Sequence, residues 1–442
     1  MAKETLKVSW FPERLPEQQI IEDKIKRIIE NSYQQYWYVN IETPAVERNE
    51  VLTSKSSSEV SKQIYGLYWL AQWANDLKDC SLHFDLTVPL ARYIIDNEES
   101  LHFPFKRYQI QKVWRWERQQ KWRFKEFYQC DVDVIDKDTN ICYDVEVIKV
   151  LYSTLKDIFK YLWIEKDIIV QMNNRKLFDS IFNYFDFDQW KRQDILRLFD
   201  DYRKIDREDF YKILEEIVWN KANELISLFD FKLNDELNIE NEEISKAIEE
   251  IKFVHDELKD SWVNIIFDPF IARWLDYYSG TIFEMFIKDS EKFGSICGWW
   301  RFDNLVKYIR EKTWNDWNEY WWVWGSIGLS RLLNRLGDEN MITKIEPLSD
   351  VIIFNLKDSA RKYREEIATI LRENWIRVDL YQKDEKINKQ FAYADKKRIP
   401  LGIFAGGKEE KNCEVLLRDL STKEIITTKI QELSEIIKQK IA

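Results

Sequence analysis

Glycine is what this sequence most lacks: 10 residues in 442, where a chain of ordinary composition holds about 7%. Tryptophan is in excess at 20, and the two together restore about the usual glycine share. Cysteine is sparse and scattered, at Cys80, Cys130, Cys142, Cys297 and Cys413, with no CxxC pair. That excludes a disulfide framework and a cysteine zinc site, and suits a reducing cytoplasm. No apolar run approaches the roughly 18 residues that a membrane helix needs. Met1 to Pro12 lacks a basic stretch followed by an apolar core, so no secretory signal is expected. Positive charge is in deficit, with a net −11 and a pI near 5.2, which excludes indiscriminate binding of nucleic acid. The deficit is uneven: Asp350 to Ala442 holds 19 Lys and Arg against 16 Asp and Glu, so that segment is the better surface for a polyanion.

What is present is length and apolar content. At 442 residues and 45% hydrophobic, the chain exceeds one core and predicts two or three domains. Ile21, Ile25, Ile28, Ile29 and Tyr33 repeat at the spacing of one helix face over Glu17 to Tyr36. Val39 to Pro44 and Ser81 to Thr87 read as strands, and a helix follows from Val88 with Pro89 in its first turn. Arg107 to Trp116 and Glu126 to Ile135 read as an antiparallel pair joined by the charged stretch Glu117 to Lys125. Arg175 to Lys259, Leu/Ile-periodic and nearly free of Gly and Pro, reads as a helical insertion. Strands return at Ile282 to Ile287 and Ser295 to Gly298, and Ser326 to Leu336 opens another helix. Beyond Leu348 and Ser349, a strand–helix–strand–helix–strand rhythm over Val351 to Ala405 predicts a separate small α/β domain.

In Phe127-Tyr-Gln-Cys-Asp-Val-Asp-Val134 the strand period of two places Phe127, Gln129, Asp131 and Asp133 on one face. Taken alone, that is a sheet with a solvated side. Two further runs argue for a ligand floor instead: Asp85 with Thr87 on one expected strand face, and Arg115 with Glu117 at the end of the long strand.

The segments Leu82-His-Phe-Asp-Leu-Thr-Val-Pro-Leu-Ala-Arg-Tyr93, Lys106-Arg-Tyr-Gln-Ile110, Arg115 to Asp133, Arg273-Trp-Leu-Asp-Tyr-Tyr-Ser-Gly-Thr-Ile-Phe-Glu284 and Gly325-Ser-Ile-Gly-Leu-Ser-Arg331 resemble, in order, the signature segments of the histidyl-tRNA synthetases. With Thr43-Pro-Ala-Val-Glu47 they include the three motifs of class II synthetases. The resemblance covers almost the whole chain and is weakest across the insertion. It implies an α+β fold: a catalytic domain over 1–345 built on an antiparallel sheet, the helical insertion at about 175–259, and an anticodon-binding domain over 350–442. It further implies a homodimer with motif 1 near Pro44 at the interface.

Roles follow residue by residue from the resemblance. Arg115 would clamp the ATP α-phosphate and the histidine carboxylate, using a fork of donors suited to both. Arg273 would stand beside the same phosphate, and Arg331 would engage the far phosphates. Phe127 would stack on adenine, with Glu117 and Arg123 also touching ATP. Asp85, Leu86, Thr87 and Gln129 would form the pocket for the histidine ammonium, while Asp133 and the Tyr277-Tyr278 pair would read the imidazole. A carboxylate and a phenol suit a ring with two nitrogens. Gln120 would face the acceptor end of tRNA(His). ATP is a substrate, Mg2+ would ride on its phosphates, and no metal-binding residues are expected. The nearest rival is a non-catalytic relative acting as a regulatory subunit of ATP phosphoribosyltransferase. Retention of Arg115, Arg273, Arg331 and the 350–442 segment argues against it.

Against those segments, tryptophan stands where the family has glycine at Trp10, Trp37, Trp116, Trp122, Trp274, Trp299, Trp300 and Trp324, and on a looser match at Trp321, Trp322 and Trp375. Trp114 fits as a genuine aromatic. The expectation is a codon read as glycine in the source cell, as UGA is in some bacterial lineages, and as tryptophan under other codes.

Overall fold

Alternating strands and amphipathic helices sort the chain into two compact units, 1–13 with 25–343, and 14–24 with 344–442. The computed structural model describes residues 6–54, 61–68, 79–116, 123–202, 205–229, 233, 241–272, 279–291, 294–301, 303, 305–307, 319–343, 346–358 and 360–441. The first helix, α1 (Pro16–Gln35), has its N-terminal turns in the second unit and the remainder in the first.

In chain order the first unit continues with β1 (Val39–Asn40), β2 (Val46–Arg48), α2 (Asn49–Leu52), β3 (Cys80–Leu82), α3 (Thr87–Asn97), β4 (Phe105–Trp114), β5 (Glu126–Asp136), α4 (Cys142–Leu162) and β6 (Ile168–Asn174). Five helices follow, α5 (Arg175–Tyr184), α6 (Gln189–Asp200), α7 (Arg207–Val218), α8 (Ala222–Ser227) and α9 (Glu242–Lys259), where the helical insertion is expected. Then come β7 (Ile265–Phe267), β8 (Thr281–Ile287), β9 (Cys297–Arg301), β10 (Trp321–Ile327) and α10 (Leu329–Asp338).

Eight of these strands make one sheet in the order β1-β4-β5-β10-β9-β8-β6-β7. Only the outermost pairs, β1 with β4 and β6 with β7, are parallel. The β4–β5 ladder runs unbroken from Phe105↔Ile135 to Trp114↔Glu126. Its apolar side is fixed by period two: Cys130, Val132 and Val134 are buried. There Tyr33 of α1 donates its hydroxyl to the Cys130 carbonyl at 3.0 Å and packs edge-on against Tyr108. On the other side Leu90, Ala91 and Ile94 of α3 share a core with Phe105, Ile135, Trp322 and Trp324.

The second unit contains β11 (Val351–Ile353), α11 (Arg361–Glu373), β12 (Val378–Leu380), α12 (Ile387–Lys396), β13 (Leu401–Phe404), α13 (Gly407–Asn412), β14 (Glu414–Asp419), β15 (Ile425–Lys429) and α14 (Ile430–Ile441). Its sheet order is β12-β11-β13-β14-β15, parallel through β13 and antiparallel beyond. Tyr363, Ile367 and Leu371 of α11 and Leu433 and Ile437 of α14 cover one face, and Ala394 of α12 covers the other.

Four local expectations are corrected. The strand expected over Arg107 to Trp116 ends at Trp114, so Arg115 lies just beyond it and on no strand face. The strand expected over Val39 to Pro44 ends at Asn40. The one expected over Ser81 to Thr87 ends at Leu82; Asp85 lies in the following loop and Thr87 is the first residue of α3. Those two therefore share no strand face. Asp85 instead accepts the Val88 N–H at 3.0 Å, serving one of the donors that a helix start leaves open. The helix expected from Ser326 begins at Leu329, because Ser326 and Ile327 complete β10.

Candidate active site

The polar face of the first sheet is built in register. Because directly paired residues of an antiparallel ladder point to the same side, one row runs Arg107, Asp133, Trp324, Trp300 across β4, β5, β10 and β9. The next runs Gln109, Asp131, Ser326, Gly298, Glu284 as far as β8. Gln129 lies beyond Asp131, opposite Gln111.

Charge on this floor is buried and only partly compensated. Arg107 and Asp133 are fully buried, with Arg107 Nε 2.9 Å from Asp133 Oδ2. The Trp322 indole donates to Asp133 Oδ1 at 2.6 Å. Burial outweighs both and pushes the Asp133 carboxyl up to about 7. Asp131, also fully buried, accepts from Trp324 Nε1 at 2.8 Å and from Gln129 Nε2 at 3.3 Å, and burial again raises it. Asp85 is pushed up to about 6 by burial, against the opposing pull of Arg115.

Arg115 joins the loop after β3 to the floor. Its Nε donates to the Phe84 carbonyl at 2.7 Å, its Nη2 reaches Gln129 Oε1 at 3.3 Å, and its guanidinium lies 5.3 Å from the centre of the Phe127 ring. Sequence-chosen residues Asp85, Arg115, Phe127 and Gln129 thus meet in one place, with Leu86 and Thr87 buried at the start of α3 and Asp133 further along β5. Arg123 is exposed, three residues before β5. Arg331 sits in the first turn of α10; a Cβ on Gly294 would stand 2.5 Å from its Nη2, and Gly294 holds φ +85°. Glu117, Gln120, Arg273, Tyr277 and Tyr278 lie outside the described residues. Beside them, Ser279 donates its hydroxyl to Asp303, which also accepts from Arg301; Arg301 is further paired with buried Asp144 at 2.9 Å. Burial holds the Asp144 carboxyl at about 7 despite that partner.

Sequence reasoning gave Arg107 no role. Its position inside Lys106-Arg-Tyr-Gln-Ile110 was visible, but only the pairing register reveals that residue 107 lies opposite residue 133. In the second unit, Asn355, Arg361, Arg364, Leu380 and Tyr381 line a shallow, mainly polar depression. Among the described residues no three His, Cys, Asp or Glu side chains gather to hold a metal, and no helix is long and apolar enough to cross a membrane.

Against known families, residues 11–312 match the profile described as Histidyl-tRNA synthetase, and residues 350–440 match the Anticodon binding domain. The chain is 35% identical to the histidine–tRNA ligase of Clostridium tetani over 99% of this chain and all of that protein. It is also 35% identical to that of Finegoldia magna, over 97% of each. Among solved structures it resembles histidyl-tRNA synthetase from Nostoc sp. PCC 7120, with a TM-score of 0.85 at 28% identity over 99% of this chain and 100% of that one.

Proposed function

We propose, for a chain that belongs to the histidyl-tRNA synthetase family, that it activates L-histidine with ATP as the adenylate and then transfers the amino acid to the 3′ end of tRNA(His). The observation that carries this reading is the floor of the first sheet. Asp85, Asp131 and Asp133 gather there around Arg107 and Arg115, and burial holds all three carboxyls above their usual range. A ligand bearing an ammonium and a ring N–H supplies the positive charge and donors that lower them again.

Asp85, Thr87 and Gln129 hold the ammonium, with Leu86 closing the wall, and Asp133 with Tyr277 and Tyr278 reads the ring. Arg115 and Arg273 flank the α-phosphate and the substrate carboxylate. The carboxylate attacks that phosphorus in line and diphosphate leaves, so positioning and cationic stabilisation of spreading charge supply the rate, and no general base is needed. Arg331 holds the far phosphates, Phe127 stacks on adenine, and Glu117 and Arg123 complete the ATP site. Magnesium would ride on the ATP phosphates and would neutralise charge there. Gln120 meets the acceptor end, and the tRNA anticodon falls to the 350–442 domain, which joins a class II catalytic domain spanning 1–345. The working unit is a cytoplasmic homodimer with Pro44 near its interface.

The test is ATP–diphosphate exchange by the protein purified from its own cells, with each amino acid in turn. Exchange with histidine alone is expected; exchange with proline or threonine but not histidine would refute the reading.

A further inference from the structure

Thirteen non-glycine residues hold positive φ among the described residues, and six are tryptophan: Trp10, Trp37, Trp163, Trp219, Trp262 and Trp375. Only a few per cent of non-glycine residues hold such angles, Asn and Asp foremost, and a bulky side chain there is an outlier. The backbone around them is of the kind that glycine serves. After α1 the Tyr38 N–H reaches the Tyr33 carbonyl and the Trp37 N–H reaches Gln34. The same crossed pair recurs after α4, from Ile164 to Phe159 and Trp163 to Lys160, and after α11, from Ile376 to Leu371 and Trp375 to Arg372. This is the Schellman ending, whose left-handed position glycine dominates. Trp219, at φ 57° and ψ −128°, holds the angles of the first central position of a II′ turn, which glycine also dominates. Burial offers nothing in exchange: Trp37, Trp219 and Trp375 are 87%, 77% and 93% exposed.

A second group stands on the substrate floor. The Trp300 and Trp324 rings stack 4.6 Å apart, Trp324 and Trp322 occupy Asp131 and Asp133 through their indole N–H groups, and Trp300 lies over Gly298, where a Cβ would stand 3.0 Å from its ring. In the proposed function these are the carboxylates that a ligand must reach.

We infer that the working protein carries glycine at both groups of positions, because the triplet that specifies them is decoded as glycine in its own cells, and that glycine at 300, 322 and 324 opens the amino-acid pocket. The structure adds Trp163, Trp219 and Trp262 to the positions that segment matching indicates. Trp114, an aromatic by the segment match as well, stays tryptophan: it holds no positive φ, and its indole donates at 2.9 Å to Glu126 at the far end of the ladder, away from Asp131 and Asp133. The second part of the inference rests on the proposed function; the first does not.

Tandem mass spectrometry of the native protein decides the first part. Glycine at 37, 163, 300, 324 and 375 is expected, and tryptophan at those positions overturns the inference. Two recombinant chains test it independently. The chain with glycine at 37, 163, 219, 262 and 375 should unfold several degrees above the chain with tryptophan there; an equal or lower midpoint overturns the strain argument. Adding glycine at 300, 322 and 324 should raise histidine-dependent exchange on the order of a hundredfold, the scale of a misplaced substrate, and no gain overturns the pocket argument. Native glycine in a protein with no histidine exchange would uphold the decoding and refute the proposed function.

Discussion

Replacing Asp133 by asparagine isolates the cost of burying this carboxyl. Asp133 is fully buried and its carboxyl stands at about 7 instead of the usual 3.8, because desolvation exceeds the attraction of Arg107 2.9 Å away. A group raised on folding contributes stability that is full below its unfolded pKa and is lost as pH rises through its folded value. Here the loss begins near pH 4 and levels off above about 7. Between pH 5 and 8 it amounts to about 2–3 kcal/mol, taking about 1.4 kcal/mol per unit. In the recombinant chain that carries tryptophan at 322, asparagine keeps the shape and an acceptor for the Trp322 N–H but does not titrate, so it resembles the protonated acid. Asp85 and Asp144 titrate in both proteins and cancel in the difference, whereas Asp131, whose charge helps raise Asp133, contributes to the fall. The readout is hydrogen exchange of β5 peptides, which gives the opening free energy around this residue. The parent-minus-variant difference should fall by that amount from pH 5 to 8. Parallel profiles, or a difference that rises with pH, would refute the assignment of a raised carboxyl.

Gly294→Ala places a methyl 2.5 Å from Arg331 Nη2 on a backbone already at φ +85°. The KM for ATP should rise on the order of tenfold while that for histidine changes little; equal effects on both substrates in diphosphate exchange would sink the link to phosphate. Arg335, 1% exposed, donates to the carbonyls of Gly294 and Ser290 at 2.8 Å each. Arg335→Met leaves both unpaired and should lower stability by about 2–5 kcal/mol in urea. A loss of less than about 1 kcal/mol would mean that water serves those carbonyls.

Where a period or a helix stop is written locally, the fold was legible. Tyr128 to Val134 alternates strictly and lies within β5, and the βαβαβ order after Val351 is found at Val351–Ile353, Arg361–Glu373, Val378–Leu380, Ile387–Lys396 and Leu401–Phe404. The two antiparallel strands and the helix that close that unit were not anticipated. Asp85 was chosen for the site by resemblance but placed on a strand, because Phe84-Asp-Leu-Thr87 alternates over too few residues to distinguish a strand end from a helix start. Strands β6 and β7 were unseen: the long helical segment between them hides a pairing that exists only across the sheet. Arg107 escaped for the same reason, since register is a property of two strands. Trp163, Trp219 and Trp262 escaped because segment matching is weakest in and around the insertion, whereas their backbone angles identify them without any relative.

The left-handed helix endings also bear on where this gene can work. If the triplet is read as glycine at home, a cell that reads it as tryptophan makes every such error in every copy, at α1, α4, α9 and α11 and in the amino-acid pocket together. No single reversion repairs that product, so the gene is barred from useful transfer into such a cell. Genes arriving from outside meet no matching barrier unless they carry the triplet, and the helix ends act as a lock that turns in one direction.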